Sequence, residues 1–152
     1  MAGFQRSTRE CAIDGLRPEL SAALWEYVAR RGLEDEISSA LMCCETVSTR
    51  EKRRLFRRTE EVSLQAVVLT PKWLIWASGK EGKPPGAFAT PLHEIRVEDY
   101  EKSSTYQLQE DRGVNIYGLK TAEGTGSAFI GLGPEPAARR FRNMLQESIA
   151  NA

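Results

Sequence analysis

Val67-Val68-Leu69-Thr70-Pro71-Lys72-Trp73-Leu74-Ile75-Trp76-Ala77 sets two short apolar runs, rich in β-branched and aromatic side chains, on either side of Pro71-Lys72. Residues of this kind suit a pleated, buried surface, and proline presets the turn. The stretch therefore predicts a tight antiparallel hairpin between strands at 62–70 and 73–77. Upstream, residues 42–49 read as a first strand. Downstream, residues 78–86 hold three glycines and two prolines and read as a loop. An apolar-polar stretch follows at 87–95, and 96–103 reads as a further strand with Val97 on one face. Residues 113–121 and 126–132 form a last hairpin across Ala122-Glu123-Gly124-Thr125.

The β-rich region is bracketed by helical patterns. Pro18 suits a first helical turn, and Leu20, Ala23, Leu24, Tyr27 and Val28 recur at helical spacing as far as Gly32, a natural stop. Residues 134–149 give the clearest helix, with Ala138, Phe141, Leu145 and Ile149 on one stripe and Arg139, Arg140, Arg142 and Glu147 opposite. Between the first helix and the first strand, Leu33, Ile37 and Leu41 are spaced by four and suggest a short helical turn. Residues 1–15 mix glycine, hydroxyls and charges without an apolar period and read as a frayed tail. The expected order is a helix, about seven short strands and a terminal helix, with no βαβ alternation. That order specifies a mainly β fold: an antiparallel barrel or orthogonal sandwich capped by the C-terminal helix, with an extra N-terminal helix. One domain is expected, with 1–40 as an N-terminal tail and helical extension and 41–152 as the β domain.

The chain has 152 residues, 41% of them hydrophobic and 28% charged, inside the range of sequences that fold. Lys plus Arg and Asp plus Glu are both 21, so no global charge draws the chain to nucleic acid. Its longest apolar runs are far shorter than the roughly 18 residues that span a bilayer, and the polar N-terminus lacks a signal-peptide core. The expectation is a cytoplasmic protein without a transmembrane segment.

The quoted hairpin, taken with Thr90-Pro91-Leu92-His93-Glu94-Ile95 and the terminal helix, resembles the bacterial PH-like and GRAM-like families across residues 41–150. The resemblance implies a pleckstrin-homology-like barrel. It also implies either recognition of acidic lipids by basic residues in the first strand-to-strand loop or capture of peptides and proteins. The residues near that place are Arg50, Lys52, Arg53, Arg54, Arg57 and Arg58, and six cations against Glu51 leave the stretch 50–58 at +5. Of these, Lys52, Arg53, Arg54, Arg57 and Arg58 are the candidate ligand-binding residues, because clustered guanidinium forks bind phosphate bidentately. A solvated strand edge guarded by charge is the bland reading of the same block.

An acidic set, Glu94, Glu98, Asp99, Glu101, Glu110 and Asp111, is opposed locally only by Arg96 and Lys102. It could pair with the basic block between copies of the chain. The remaining features carry no chemistry. Cys11, Cys43 and Cys44 contain no CxxC, and a single histidine argues against a zinc site. On a strand, Cys43 and Cys44 would face opposite ways, one buried and one more exposed. His93 and Glu94 would also diverge, leaving His93 half-buried and structural. Trp25, Trp73 and Trp76 read as wall residues, although an exposed Trp73 at a hairpin tip would suit a lipid interface. Gly124-Thr125-Gly126-Ser127 and Gly131-Leu132-Gly133 lack phosphate-loop spacing and read as turns. No catalytic constellation, metal or cofactor is expected. The function expected is non-catalytic binding: protein-protein interaction or self-assembly, or alternatively a peripheral membrane module that binds anionic phospholipid headgroups through residues 50–58.

Overall fold

The computed structural model of the chain describes residues 3–152, and at positions 53 and 54 the backbone alone. Eight antiparallel strands form two open sheets. The first runs β1 (Gln5–Glu10), β2 (Met42–Arg54), β3 (Arg57–Leu69), β4 (Trp73–Lys80) and β5 (Gly86–Pro91), each paired with the next. The second pairs β6 (Arg96–Asp99), β7 (Gly113–Thr121) and β8 (Gly124–Gly131) in the same manner. Helix α1 (Pro18–Arg31) and the short α2 (Glu34–Ser38) lie between β1 and β2 in the chain, and α3 (Pro136–Ala150) closes it.

The hairpin at Pro71-Lys72 forms as expected. Thr70 N donates to Trp73 O at 2.9 Å, and the Thr70 hydroxyl accepts from Trp73 N at 2.9 Å. Its apolar run does not alternate because the five-stranded sheet is covered on both faces. Cys44, Val67, Leu69, Leu74 and Trp76 point to one side, into a core shared with the three-stranded sheet and with Ala138, Phe141 and Leu145 of α3. Cys43, Ala66, Val68, Ile75 and Ala77 point to the other, against Leu20, Leu24, Tyr27 and Val28 of α1. A strand buried on both faces is apolar throughout.

Helix α1 begins where buried Glu45 holds it. Glu45 Oε2 accepts the Arg17 backbone N–H at 2.8 Å, placing a carboxylate at the positive end of the helix. It ends at Gly32, whose φ of 68° is the left-handed conformation that glycine adopts freely, with Leu33 N donating to Val28 O at 2.8 Å.

Several expectations are corrected. The barrel is not closed. No ladder joins β8 to β1 among the described residues; side chains bridge the gap, with Gly133 N donating to the Thr8 hydroxyl at 2.8 Å and Gln65 Nε2 to Gly131 O at 3.0 Å. The strands number eight and not seven, because residues 5–10, read as tail, are β1. An edge strand is held by its backbone ladder and needs little apolar content, and here only Thr8 is buried. The sheet therefore reaches across the expected boundary at 40/41. Residues 100–107, partly expected as strand, form two short 3-10 turns. Cys43 and Cys44 do face opposite ways, but both are buried, because both faces of β2 are covered.

Candidate functional site

β2 and β3 are each 13 residues long, and their neighbours are shorter. β1 accompanies β2 only as far as the pair Gln5↔Thr49, and β4 accompanies β3 only from Ser63↔Lys80. Beyond these points residues 50–61 project as a two-stranded arm whose last ladder pairs are Arg53↔Arg58 and Arg54↔Arg57. Five residues of strand on each side give it a reach of roughly 16 Å at the usual rise.

The arm turns on two residues, Leu55 and Phe56, which are 87% and 101% exposed. Phe56 has φ of 67°, the left-handed region that a bulky side chain occupies at a cost of about 1–2 kcal/mol. Asn-Gly or Asp-Gly would make such a turn with less strain and would leave no apolar surface in water. Two large apolar side chains therefore stand at the outermost point of the most basic stretch of the chain.

At the arm's base, charge is organised around Glu61. Its carboxylate lies 2.9 Å from Lys52 Nζ, 3.1 Å from Arg50 Nη2 and 3.2 Å from Lys80 Nζ. Hydrogen bonds from Lys52, then Lys80 and Arg50, draw its pKa down to about 2. The guanidinium groups of Arg50 and Arg6 both stack on the Phe4 ring, 4.8 and 4.5 Å from its centre. Beside this base a shallow polar cleft of about 240 Å³ is lined by Arg6, Ser48, Ser63, Gln65, Ser78 and Lys80.

The sequence candidates are thus gathered on one arm. Lys52 sits at its base, engaged by Glu61. Arg57 and Arg58 are exposed beside the tip, Arg58 Nε 3.4 Å from Glu51, and no acidic partner for Arg57 appears among the described residues. Arg53 and Arg54 lie on the β2 side of the tip by backbone register, and their side chains fall outside the described residues. Glu61, Leu55 and Phe56 were missed by a reading that followed cations alone. The signal for the tip was present as an apolar pair interrupting a run of arginines at the centre of a hairpin.

The acidic set is organised differently from the expectation. The fold brings distant cations to it: Arg6 forms two 2.8 Å bonds to Asp111, Lys120 lies 3.2 Å from Glu94, and Arg142 from α3 reaches Asp99 at 3.2 Å and Glu101 at 2.6 Å. Burial pushes the Glu101 carboxyl up, but the Arg142 guanidinium and the Gly113 N–H outweigh it and hold it below the usual range. His93 is corrected as well. It lies on a 3-10 turn (Leu92–Glu94), exposed, with Nε2 4.0 Å from Glu94 on the same side. Trp73 is half-buried against the core under α1, which removes it as a lipid-dipping tip. Among the described residues no group of three or more His, Cys, Asp and Glu is placed to hold a metal, and no helix is long and apolar enough to cross a membrane.

No family model matches the chain, and no curated protein matches its sequence.

Proposed function

We propose that the chain is a PH-like binding module that docks on anionic membrane surfaces through the β2–β3 arm. The observation that carries this reading is the conjunction at one projecting tip of exposed Leu55 and Phe56 with flanking arginines. Each Lys or Arg held near an anionic bilayer contributes about 1 kcal/mol, and burial of a Leu or Phe side chain contributes up to about 1.5–3 kcal/mol. Neither term alone anchors a soluble domain firmly; together they form the usual two-signal arrangement. The fold reading has its own support: leaving β1 aside, seven antiparallel strands followed by a C-terminal helix agree with the strand number and terminal helix expected of a PH-like domain.

A second reading, self-assembly, is favoured by a different feature. Residues 124–134 of β8 and its exit contain no charged side chain and no proline before Pro134, and among the described residues no strand pairs with the outer edge of β8. Edge strands are ordinarily guarded against such pairing. The charge-patch version of assembly has less support, since Glu94, Asp99, Glu101 and Asp111 of the acidic set are engaged by Lys120, Arg142 and Arg6 of the same chain.

Co-sedimentation with vesicles of phosphatidylcholine alone or with phosphatidylserine, at low and physiological salt, tests the first reading. Binding to the anionic vesicles that persists at physiological salt, and is lost both in Leu55→Ser/Phe56→Ser and in a variant with Arg53, Arg54, Arg57 and Arg58 changed to Glu, supports the arm. No binding by the unaltered chain overturns it, and a mass that rises with concentration would then favour assembly.

A further inference from the structure

Cys11 and Cys43 meet one residue beyond the last pair of the β1–β2 ladder. The register Glu10↔Cys44 places Cys11 opposite Cys43, and Cys11 N donates to Cys43 O at 3.0 Å. Both side chains lie on the α1 side of the sheet, Cys43 buried in that core and Cys11 half-buried against it. The two side chains thus leave neighbouring strands at facing positions on the same side of the sheet. Cys44 faces the opposite core and is out of the pair. Directly opposed, hydrogen-bonded residues of an antiparallel ladder have Cα atoms about 5.5 Å apart, inside the window of about 4.4–6.8 Å that a disulfide spans.

We infer that Cys11 and Cys43 form a redox site, a dithiol that closes to a disulfide by exchange with a small disulfide oxidant such as oxidised glutathione. Cys11, the more exposed, attacks first: its thiolate bonds to one glutathione sulfur and displaces the other as a thiolate, which takes up the proton that Cys11 released. Cys43 then gives up its proton and attacks the Cys11 sulfur of the mixed disulfide, expelling the second glutathione thiolate. Two electrons pass to the oxidant, and two molecules of reduced glutathione leave. Burial pushes both thiols up, Cys43 the further, so exchange in the native state is slow without assistance. The product ties β1 to β2 and encloses α1 and α2 in one covalent loop. While the bridge is closed, β1 cannot part from β2 at that end, and the helical layer can undock only as a closed loop with less conformational freedom.

The test equilibrates the full chain in glutathione buffers from fully reduced to fully oxidised, with a low concentration of denaturant so that slow opening does not hide the equilibrium. The thiols are then trapped with N-ethylmaleimide and the peptides mapped by mass without reduction. The expected result is joint loss of two thiols within one chain, a linked Cys11–Cys43 peptide, the same bridge in Cys44→Ala and none in Cys11→Ser. Melting in the absence of reductant should then show the bridged form more stable than the reduced form. Three thiols surviving in fully oxidised buffer, a bridge through Cys44 or to a second chain, or a bridge that lowers the melting temperature would overturn the inference.

Discussion

Glu61 Oε2 lies 2.9 Å from Lys52 Nζ, at the point where the β2–β3 arm leaves the rest of the sheet. The carboxylate also takes Arg50 and Lys80, so one anion sets the spacing of three cations at the arm's root. Because these contacts favour the ionised form, the pKa of Glu61 falls from an ordinary 4.5 to about 2 on folding. A carboxyl depressed in this way stabilises the fold above its unfolded pKa and ceases to do so as pH falls through the folded value. Glu61→Gln, which resembles the protonated side chain, should therefore melt below the wild type at pH 6. The gap should narrow between about pH 4.5 and 2 and vanish at lower pH. Thermal melts of both proteins across that range check the sign; a gap that widens in acid would mean that Glu61 has been misread.

Phe56→Gly separates stability from docking. The left-handed φ of 67° costs a bulky residue about 1–2 kcal/mol, and glycine removes that cost while adding about 0.5–1 kcal/mol of chain entropy to the unfolded state. The melting temperature should hold or rise slightly. Retention on anionic vesicles should fall several-fold, because half of the apolar tip is gone. Strain retained by a residue that packs against nothing is hard to attribute to folding, so lower stability in the glycine variant would remove that argument for the tip.

Much of this fold was legible because its local signals and tertiary demands agree. Pro71-Lys72 marks the turn between two apolar runs, and the stripe Ala138, Phe141, Leu145 marks α3. What could not be read depended on partners distant in the chain. β1 contains Arg6, Arg9 and Glu10 and no apolar period, and it is a strand only because β2 offers it a free edge. The acidic set looked unopposed because Arg6 and Arg142 lie 105 and 41 residues from Asp111 and Glu101 in the chain. The basic block was visible from composition alone. Its shape as an arm follows from where β1 and β4 stop, which single-strand patterns do not encode.

Gly118 illustrates a constraint of the same tertiary kind. It occupies the irregularity in β7 between Tyr117 and Leu119, with φ of 88°, and a Cβ there would lie 2.6 Å from the Glu94 carbonyl oxygen. Backbone conformation and space both exclude a side chain. Gly118→Ala should cost about 2–3 kcal/mol, combining the left-handed penalty with displacement of the Glu94 turn. For a chain of this size that is a fall of roughly 5–10 °C in melting temperature. Circular dichroism melts would measure it, and a neutral result would show that the corner between the sheets yields easily.

Leu24→Ala tests whether the helical layer belongs to the folding unit. Leu24 is fully buried between α1 and the outer face of the five-stranded sheet, in the core that also contains Val68, Ile75 and Ala77. Helix α1 supplies four of the buried side chains on that face, Leu20, Leu24, Tyr27 and Val28, so losing it would expose alternate side chains of β3 and β4 to water. Truncation of a buried leucine costs about 2–5 kcal/mol, according to how far the site collapses. If α1 is integral, the variant should unfold in one transition at lower denaturant with an unchanged slope, and fluorescence of Trp25 on α1 should move together with the circular dichroism of the strands. If α1 is a detachable extension, the fluorescence transition should come first and the strand signal should keep the wild-type midpoint. The depth of Leu24 and the two-sided burial of β3 favour the single transition.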